Sequence, residues 1–217
     1  HPRYAEAYNN MGTAFSGVSK LEKALDCFKR AVDINPTYAE AHHNMGNVLK
    51  ELEKFEDAIQ AYNKALSLTP KEAEIHRKLG ISLMGLGKLE EAVNSFNMAL
   101  SIEPNLASAF YGLGMTLGKQ GKLEDTIMTY KHVLAIEPDH VDCFINLSQI
   151  KSQLLDLNFK TLDLDIIKNN SLLSILDQNP LFQINQSIIN FIKADYKLCR
   201  RHLQKYKNLG TTTAWHE

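Results

Sequence analysis

Residues 39–72 decide the fold and read AEAHHNMGNVLKELEKFEDAIQAYNKALSLTPKE. Small, apolar and aromatic side chains recur in this stretch every three or four positions, which is the spacing of a helix that buries one face. In the first half these residues are His42, Met45, Gly46 and Leu49, and in the second half they are Ala58, Tyr62 and Ala65. The stretch therefore predicts two amphipathic helices that end at a proline.

The same pattern recurs along the chain with a fixed period. Five of the six prolines are spaced 34 residues apart, and they are Pro2, Pro36, Pro70, Pro104 and Pro138. Between them lie four blocks with equivalent residues at equivalent positions, namely 5–38, 39–72, 73–106 and 107–140. A period of this length indicates an array of structural repeats, and the helical spacing within each block predicts an all-α fold.

The repeats resemble the tetratricopeptide repeat family. That family's pattern is a bulky residue, Leu-Gly, an aromatic residue, then Ala, a second aromatic residue, Ala and Pro, and residues 1–140 match it in register. The resemblance implies a right-handed α-solenoid of antiparallel helix hairpins. It also identifies residues 1–4 as the end of a preceding repeat, which Pro2 closes.

The interior residues of each repeat have expected packing roles. Gly46 lies inside a helix, where glycine costs about 1 kcal/mol against alanine, so we expect a close approach of two helices there. Ala58 and its equivalents are expected to face these glycines. Tyr62 and its equivalents are expected to fill the space between successive hairpins.

The ends of the helices carry their own signals. The recurring prolines are expected in the first turn of the following helix, with Asn35 and Thr69 as N-caps before them. Gly87 and Gly121 are expected at the turn between the two helices of their hairpins.

Beyond residue 140 the repeat pattern weakens. We predict a degenerate fifth repeat at 141–180 that is irregular from 153 to 179, a divergent capping hairpin at 181–210, and a tail at 211–217. The hairpin is rich in basic residues, and Lys197, Arg200 and Arg201 form a candidate second surface. This surface would contact an anionic partner or mediate self-association through the solenoid end. The alternative is a solvated helix face, on which basic residues are favoured near the helix C-terminus.

Composition argues against several classes of function. The 217 residues include 24 basic and 25 acidic side chains, and the resulting net charge of −1 argues against a whole-molecule electrostatic grip on nucleic acid or an anionic membrane. No stretch approaches the roughly 18 consecutive apolar residues of a membrane span, and no signal peptide is visible. Cys27, Cys143 and Cys199 are too few and too far apart for a disulfide framework, which indicates a reducing, cytoplasmic compartment.

The sequence shows no enzyme motif. We find no glycine-rich phosphate loop, no nucleophile elbow and no two-histidine zinc helix. His42 and His76 lie one repeat apart, but they occupy the position of Tyr8 and Phe110 in the sister repeats, so we interpret them as packing residues rather than metal ligands. The chain is therefore expected to have no catalytic residue, no metal and no cofactor.

The concave surface of a solenoid is lined by the first helix of each hairpin, and it is the candidate binding site. The candidate groove residues are Asn9, Asn10, His43, Asn44, Asn47, Arg77, Lys78, Tyr111 and Asn146. Asparagine carries both a donor and an acceptor, so Asn10, Asn44 and Asn146, at one phase of the repeat, can pair with an extended peptide backbone of any sequence. The alternative is that these asparagines are solvated or cap locally.

We therefore expect a protein-interaction scaffold that holds a peptide or a partner helix, as the recognition arm of a larger protein. A structural spacer or an oligomerisation solenoid is the alternative. Residues 39–50 also resemble the superhelical repeats of O-linked N-acetylglucosamine transferase, where an asparagine ladder at this phase holds peptide backbones. That resemblance implies a third role, the substrate-recognition part of a glycosyltransferase-type enzyme, although Lys78 and Gly112 interrupt the ladder here. The carboxylate clamp of chaperone-binding repeats does not match. It requires lysine at the fifth position of its first repeat and asparagine at the ninth, and this chain has Asn9 and Thr13 there.

Overall fold

A computed structural model of the chain describes residues 2–153, and these form nine α-helices and no strand. The helices are α1 (Pro2–Gly17), α2 (Leu21–Ile34), α3 (Ala39–Glu51), α4 (Phe55–Leu68), α5 (Ala73–Gly85), α6 (Leu89–Ile102), α7 (Ala107–Lys119), α8 (Leu123–Ile136) and α9 (Val141–Gln153). The chain divides into two compact units, residues 1–136 and 137–217, so α1 to α8 belong to the first unit and α9 to the second. The predicted all-α solenoid is confirmed.

The first unit is a stack of four helix hairpins. Within each hairpin the two helices pack against each other, and the second helix of one hairpin packs against the first helix of the next. The first helices also approach one another directly, α1 with α3, α3 with α5 and α5 with α7, and the second helices of successive hairpins approach each other less. We call the surface that α1, α3, α5 and α7 present away from the second helices the inner face.

One aromatic ring per hairpin fills the space beside a helical glycine. A Cβ atom built on Gly46 would lie 2.7 Å from Cε1 of Tyr62, and the same relation joins Gly80 to Phe96. Phe96 also lies against Gly112 of the next hairpin, so the prediction that these rings fill the space between hairpins is confirmed there. The aromatic ring is the nearest side chain to the glycine, and the expectation that alanines such as Ala58 also face the glycines stays a prediction.

The turn between the two helices of a hairpin has one residue in the left-handed region. Gly87 and Gly121 have φ of 79° and 76°, as expected from their positions, whereas Ser19 and Glu53 adopt φ of 56° without the freedom of glycine. The next residue closes each turn with a six-to-one hydrogen bond, for example from the N–H of Lys88 to the carbonyl of Leu83 at 2.9 Å, as in a Schellman motif.

Pro36, Pro70, Pro104 and Pro138 lie in the loops before the following helices and not in their first turns, whereas Pro2 is the first residue of α1. Pro36 precedes the start of α3 at Ala39 by three residues, and Asn35 and Thr69 are the C-caps of α2 and α4 rather than N-caps. The expectation was wrong because proline forces the residue before it out of the helical region. Asn35 accordingly has φ −133° and ψ 89°.

The loop after Asn35 is a tight turn with Pro36 in its second position. The N–H of Tyr38 donates to the carbonyl of Asn35 at 3.1 Å, and proline is favoured at this position of a β-turn. The histidines at the fourth position of their repeats hold this loop: Nε2 of His42 lies 3.0 Å from the carbonyl of Pro36, and His76 makes the equivalent contact with Pro70 at 3.1 Å. Their interpretation as packing residues with a polar edge agrees with these contacts.

Several predicted features lie outside the described residues. These are the irregular region after residue 153, the capping hairpin at 181–210, the tail at 211–217, and the candidate second surface of Lys197, Arg200 and Arg201. They remain predictions.

Candidate functional site

The predicted groove residues lie on the first helices of the hairpins. Asn9 and Asn10 are on α1, His43, Asn44 and Asn47 on α3, Arg77 and Lys78 on α5, Tyr111 on α7 and Asn146 on α9. The stacking of the first unit brings those on α1, α3, α5 and α7 into one layer. Asn146 belongs to the second unit.

A network of side-chain hydrogen bonds joins α1 to α3. Nδ2 of Asn9 donates to the hydroxyl of Tyr38 at 3.3 Å and to Oε1 of Glu40 at 3.1 Å, and Nδ2 of Asn44 donates to Oδ1 of Asn9 at 3.1 Å. Asn9 is only 1% exposed. Asn9 is therefore an internal bridge between two hairpins, whereas its neighbour Asn10 is exposed.

The second hairpin presents a histidine and an asparagine beside a buried tyrosine. The ring of His43 lies 6.1 Å from that of Tyr62, and the Tyr62 hydroxyl donates to Oδ1 of Asn47 at 2.9 Å. Burial lowers the pKa of His43, and the positive charge of Lys78 lowers it further. The imidazole is therefore neutral at pH 7, and burial likewise raises the pKa of Tyr62 and keeps its hydroxyl protonated.

The third hairpin presents two cations that share one carboxylate. Nε and Nη2 of Arg77 donate to the two carboxylate oxygens of Glu74 at 2.7 and 2.6 Å, and Nζ of Lys78 lies 3.6 Å from Oε1. The hydrogen bond from Arg77 lowers the pKa of Glu74, so this carboxylate stays ionised. Burial lowers the pKa of the half-buried Lys78. The local positive charge available to a ligand is thus about one unit, two cations less one anion.

The fourth hairpin changes the character of the inner face from polar to apolar. Tyr111 lies with its ring 5.9 Å from that of Tyr130. Gly112, at the phase of Asn10, Asn44 and Lys78, is buried against the ring of Phe96. The polar row on the inner face therefore ends before α7.

Sequence reasoning placed the candidate side chains on the correct helices but missed their partners. Tyr38, Glu40 and Glu74 hold the predicted groove residues in place, and Tyr62 was interpreted only as a core residue. Glu74 pairs with Arg77 and Lys78 of its own helix at spacings of three and four residues, which the sequence shows. The hydrogen bonds of Asn9 to Tyr38 and Glu40 depend instead on the offset between neighbouring hairpins, which has no signal in the sequence.

Metal sites and membrane-spanning helices are both absent from residues 2–153. No group of three His, Cys, Asp or Glu side chains among residues 2–153 is placed to hold a metal ion. None of the helices from α1 to α9 combines the length and apolar character that crossing a membrane requires.

Helix hairpins stacked with a 34-residue period, with a polar row along their first helices, define an α-solenoid repeat protein. The chain belongs to the tetratricopeptide repeat family. A family model described as a TPR repeat matches residues 19–53, 46–87 and 82–121, and a second, described as a tetratricopeptide repeat, matches residues 107–140. These matches together span more than half of the chain. The finer resemblance to the transferase repeats stays a prediction.

Solved structures of tetratricopeptide repeat proteins are similar to this chain. MamA from Desulfovibrio magneticus RS-1 is 21% identical with a TM-score of 0.67, over 70% of this chain and 86% of that one. YrrB, described as a TPR protein with an unusual peptide-binding site, is 22% identical with a TM-score of 0.61, over 91% of this chain and 90% of that one. The first TPR of Spaghetti (RPAP3), bound to the HSP90 peptide SRMEEVD, is 24% identical with a TM-score of 0.55, over 56% of this chain and 96% of that one. No curated protein sequence matches the chain significantly.

Proposed function

We propose that the chain is a protein-interaction scaffold that binds an extended peptide along the inner face of α1, α3 and α5. The observation that carries this proposal is the row of Asn10, Asn44 and Lys78, which occupy one phase on three successive helices. A row of amide and ammonium groups at a regular interval suits a backbone that offers carbonyl and N–H groups at regular intervals.

The hydrogen-bond network around this row favours binding because it fixes side chains before a ligand arrives. Asn44 is held by its donation to Asn9, and its Oδ1 accepts no hydrogen bond from the described residues. This oxygen can accept a peptide N–H, at a lower cost in side-chain entropy than a mobile asparagine would incur.

The ligand class follows from the small net charge of the site. Because Glu74 neutralises much of the charge of Arg77 and Lys78, recognition of a strongly acidic ligand by charge alone is unsupported, and backbone hydrogen bonds carry the interaction. A single short peptide that orders on binding is expected to have micromolar affinity. The peptide-binding site named for YrrB and the HSP90 peptide bound to RPAP3 support a peptide-binding use of this fold.

The test selects peptides from a random-sequence display library on the full chain and titrates them into ¹⁵N-labelled protein. Binding on the inner face should shift the side-chain amide signals of Asn10, Asn44 and Asn47. The groove variant Asn10→Ala/Asn44→Ala/Lys78→Ala should weaken binding at least about tenfold, since each lost hydrogen bond contributes about 1 kcal/mol.

The matched control changes the same residue types on exposed positions of the second helices. These are Lys29, Asn63 and Asn97, which occupy one phase on α2, α4 and α6. Thermal unfolding of both triple variants verifies that their stabilities are comparable. Equal affinity of the groove variant and the control would reject the inner face as the binding site and favour a spacer role.

A further inference from the structure

The inner face carries apolar side chains on α5 and α7 at a position that is polar on α1 and α3. This is the ninth position of the repeat, which holds Thr13 and Asn47 in the first two hairpins and Ile81 and Met115 in the last two. Ile81 and Met115 are half-buried, so part of each side chain is accessible. Because the first two hairpins stack with a polar residue at this position, stacking alone does not require an apolar one.

Two further residues extend this apolar surface. Met84 lies three residues after Ile81 on α5, and Tyr111 lies four residues before Met115 on α7, so each pair occupies one side of its helix. Met84 and Tyr111 are also half-buried, and α5 and α7 approach each other directly. We call Ile81, Met84, Tyr111 and Met115 the apolar patch.

The α7 side of the apolar patch has no charged neighbour on its own helix. The second position of the repeat is glutamate in the first three hairpins, as Glu6, Glu40 and Glu74, but it is the exposed Ser108 on α7. No charged residue occurs on α7 before Lys119 in its last turn. A ligand group that lies against α7 is therefore expected to be uncharged, because a charged group would lose hydration without gaining a partner.

Two glycines leave room beside the apolar patch. Gly112 follows Tyr111 and is buried against the ring of Phe96, and Gly118 lies three residues after Met115. A Cβ atom built on Gly118 would meet nothing closer than 3.7 Å. Since neither glycine has a side chain, a ligand can approach the surface of α7 closely beside Tyr111 and Met115.

We propose that the apolar patch binds one large aliphatic or aromatic side chain of the peptide whose backbone lies along Asn44 and Lys78. The inference rests on the proposed function and names the class of residue that the bound peptide carries. The patch is continuous with the polar row, because Lys78 and Ile81 lie three residues apart on α5. Two of its four residues are methionines, whose flexible side chains adapt to apolar groups of different shape.

The spacing of the helices sets the place of this residue in the peptide. The apolar patch between α5 and α7 is one helix spacing from the pair of Asn44 and Lys78 on α3 and α5. Neighbouring packed helices are about 10 Å apart, and an extended chain advances about 3.3 Å per residue. The apolar residue should therefore lie about three residues from the part of the peptide that Asn44 and Lys78 bind.

The test uses random twelve-residue peptides that are selected by display on the full chain. The chain is labelled with ¹³C at the methionine methyl groups and with ¹⁵N, so that the apolar patch and the polar row are observed together. Bound peptide should shift the methyl signals of Met84 and Met115 and the side-chain amide of Asn44. Met98 and Met128, which are exposed on α6 and α8, are internal controls whose signals should not shift.

Replacing the apolar residue of a selected peptide by alanine measures what the patch contributes. The affinity should fall at least about tenfold, because burial of a large apolar side chain is lost. If peptides shift Asn44 but neither Met84 nor Met115, and their alanine variants bind equally well, the apolar patch is not a binding site although the proposed function stands. If no peptide shifts Asn44, the proposed function fails, and this inference fails with it.

Variants of the chain locate the effect. Ile81→Thr/Met115→Asn introduces the residue types that Thr13 and Asn47 provide at this position, so the repeat accommodates them. In this variant the alanine replacement in the peptide should change the affinity less than about threefold, whereas Ile81→Leu/Met115→Leu should keep the tenfold effect. The control Met98→Asn/Met128→Asn makes a similar change on exposed positions of the second helices and should also keep it. An undiminished effect in Ile81→Thr/Met115→Asn would overturn the proposal.

A second copy of the chain is the competing occupant of the apolar patch. If the Met84 and Met115 signals of the free chain change with protein concentration, and sedimentation shows a dimer that Ile81→Thr/Met115→Asn makes monomeric, then the patch is a contact between copies and the proposal is wrong. Signals that do not depend on concentration, together with the shifts on peptide binding, support it.

Discussion

Replacing Gly12 by alanine tests whether the glycine–aromatic contact or helix propensity decides stability in this repeat. A Cβ atom at Gly12 would lie 2.7, 2.8 and 2.9 Å from Cε1, Cδ1 and Cζ of Phe28. Phe28 is 1% exposed, so the ring has no space into which it can retreat.

Two opposing contributions set the magnitude. Alanine is favoured over glycine inside a helix by about 1 kcal/mol, and overpacking a well-packed core costs about 1–3 kcal/mol. The clash with an immobile ring should dominate, so we expect Gly12→Ala to lower the free energy of unfolding by about 1 kcal/mol. Gly17 lies in the same helix, and a Cβ atom built on it has no neighbour within 4 Å. Gly17→Ala therefore retains only the gain in helix propensity and should raise the free energy of unfolding by a few tenths to about 1 kcal/mol.

Urea unfolding followed by circular dichroism measures both variants against the parent chain. A double-mutant cycle with Phe28→Leu separates the clash from propensity, and Gly12→Ala should be better tolerated when the ring is absent, with a coupling of about 1 kcal/mol. If Gly12→Ala were as stabilising as Gly17→Ala, or if the cycle showed no coupling, the assignment of Gly12 to a packing role would be refuted.

Three further predictions concern turns and charges. Ser19 and Gly87 both have φ above 50°, a region that favours glycine. Ser19→Gly should therefore raise the thermal midpoint and Gly87→Ala should lower it, each through a change in the free energy of unfolding of about 1 kcal/mol at most. Because Arg77 lowers the pKa of Glu74, the ionised carboxylate stabilises the fold above its ordinary pKa of 4.5, and this stabilisation is lost as the pH falls through the lower folded pKa. In Glu74→Gln, the free energy of unfolding in urea should therefore depend less on pH in this range. Since burial lowers the pKa of His43, the unfolded chain binds more protons below 6.5, so stability should decline as pH falls from that value towards the folded pKa, and His43→Gln should remove this part of the decline.

Much of the fold could be predicted from the sequence because the residues that pack the helices recur at equivalent positions in four repeats. Gly87 and Gly121 mark turns that need a positive φ, and the helical spacing of Leu79, Gly80 and Phe96 specifies a hairpin, although the contact of the ring with the glycine was found only in the structure. The loops were predicted less well because two local rules compete there. Asn35 suits an N-cap, but the proline after it excludes the helical conformation, so Asn35 ends one helix instead of beginning the next.

The candidate site could be predicted only to the level of the helix face. Asn9 and Asn10 are adjacent and identical in type, yet one is buried between hairpins and the other is exposed. The difference arises from Tyr38 and Glu40 of the next hairpin, which meet Asn9 because of how the two hairpins stack. A single sequence specifies the repeat but not the offset between repeats, so it could not separate these two roles.

The phase shared by Asn10, Asn44, Lys78 and Gly112 lies at the border between the inner face and the stacking interface. At this phase the side chain is exposed in α1, half-buried in α3 and α5, and absent in α7, where the ring of Phe96 covers the glycine. Any side chain at Gly112 would meet that ring, with a Cβ only 2.5 Å from Cζ, so the polar row cannot continue onto α7 without moving Phe96. Close stacking of the third and fourth hairpins and an uninterrupted ladder of hydrogen-bonding side chains are therefore alternatives at this position. Because the chain has the stacked arrangement, the polar part of the proposed binding face ends at α5, and a peptide that extends further meets the apolar surface of α7.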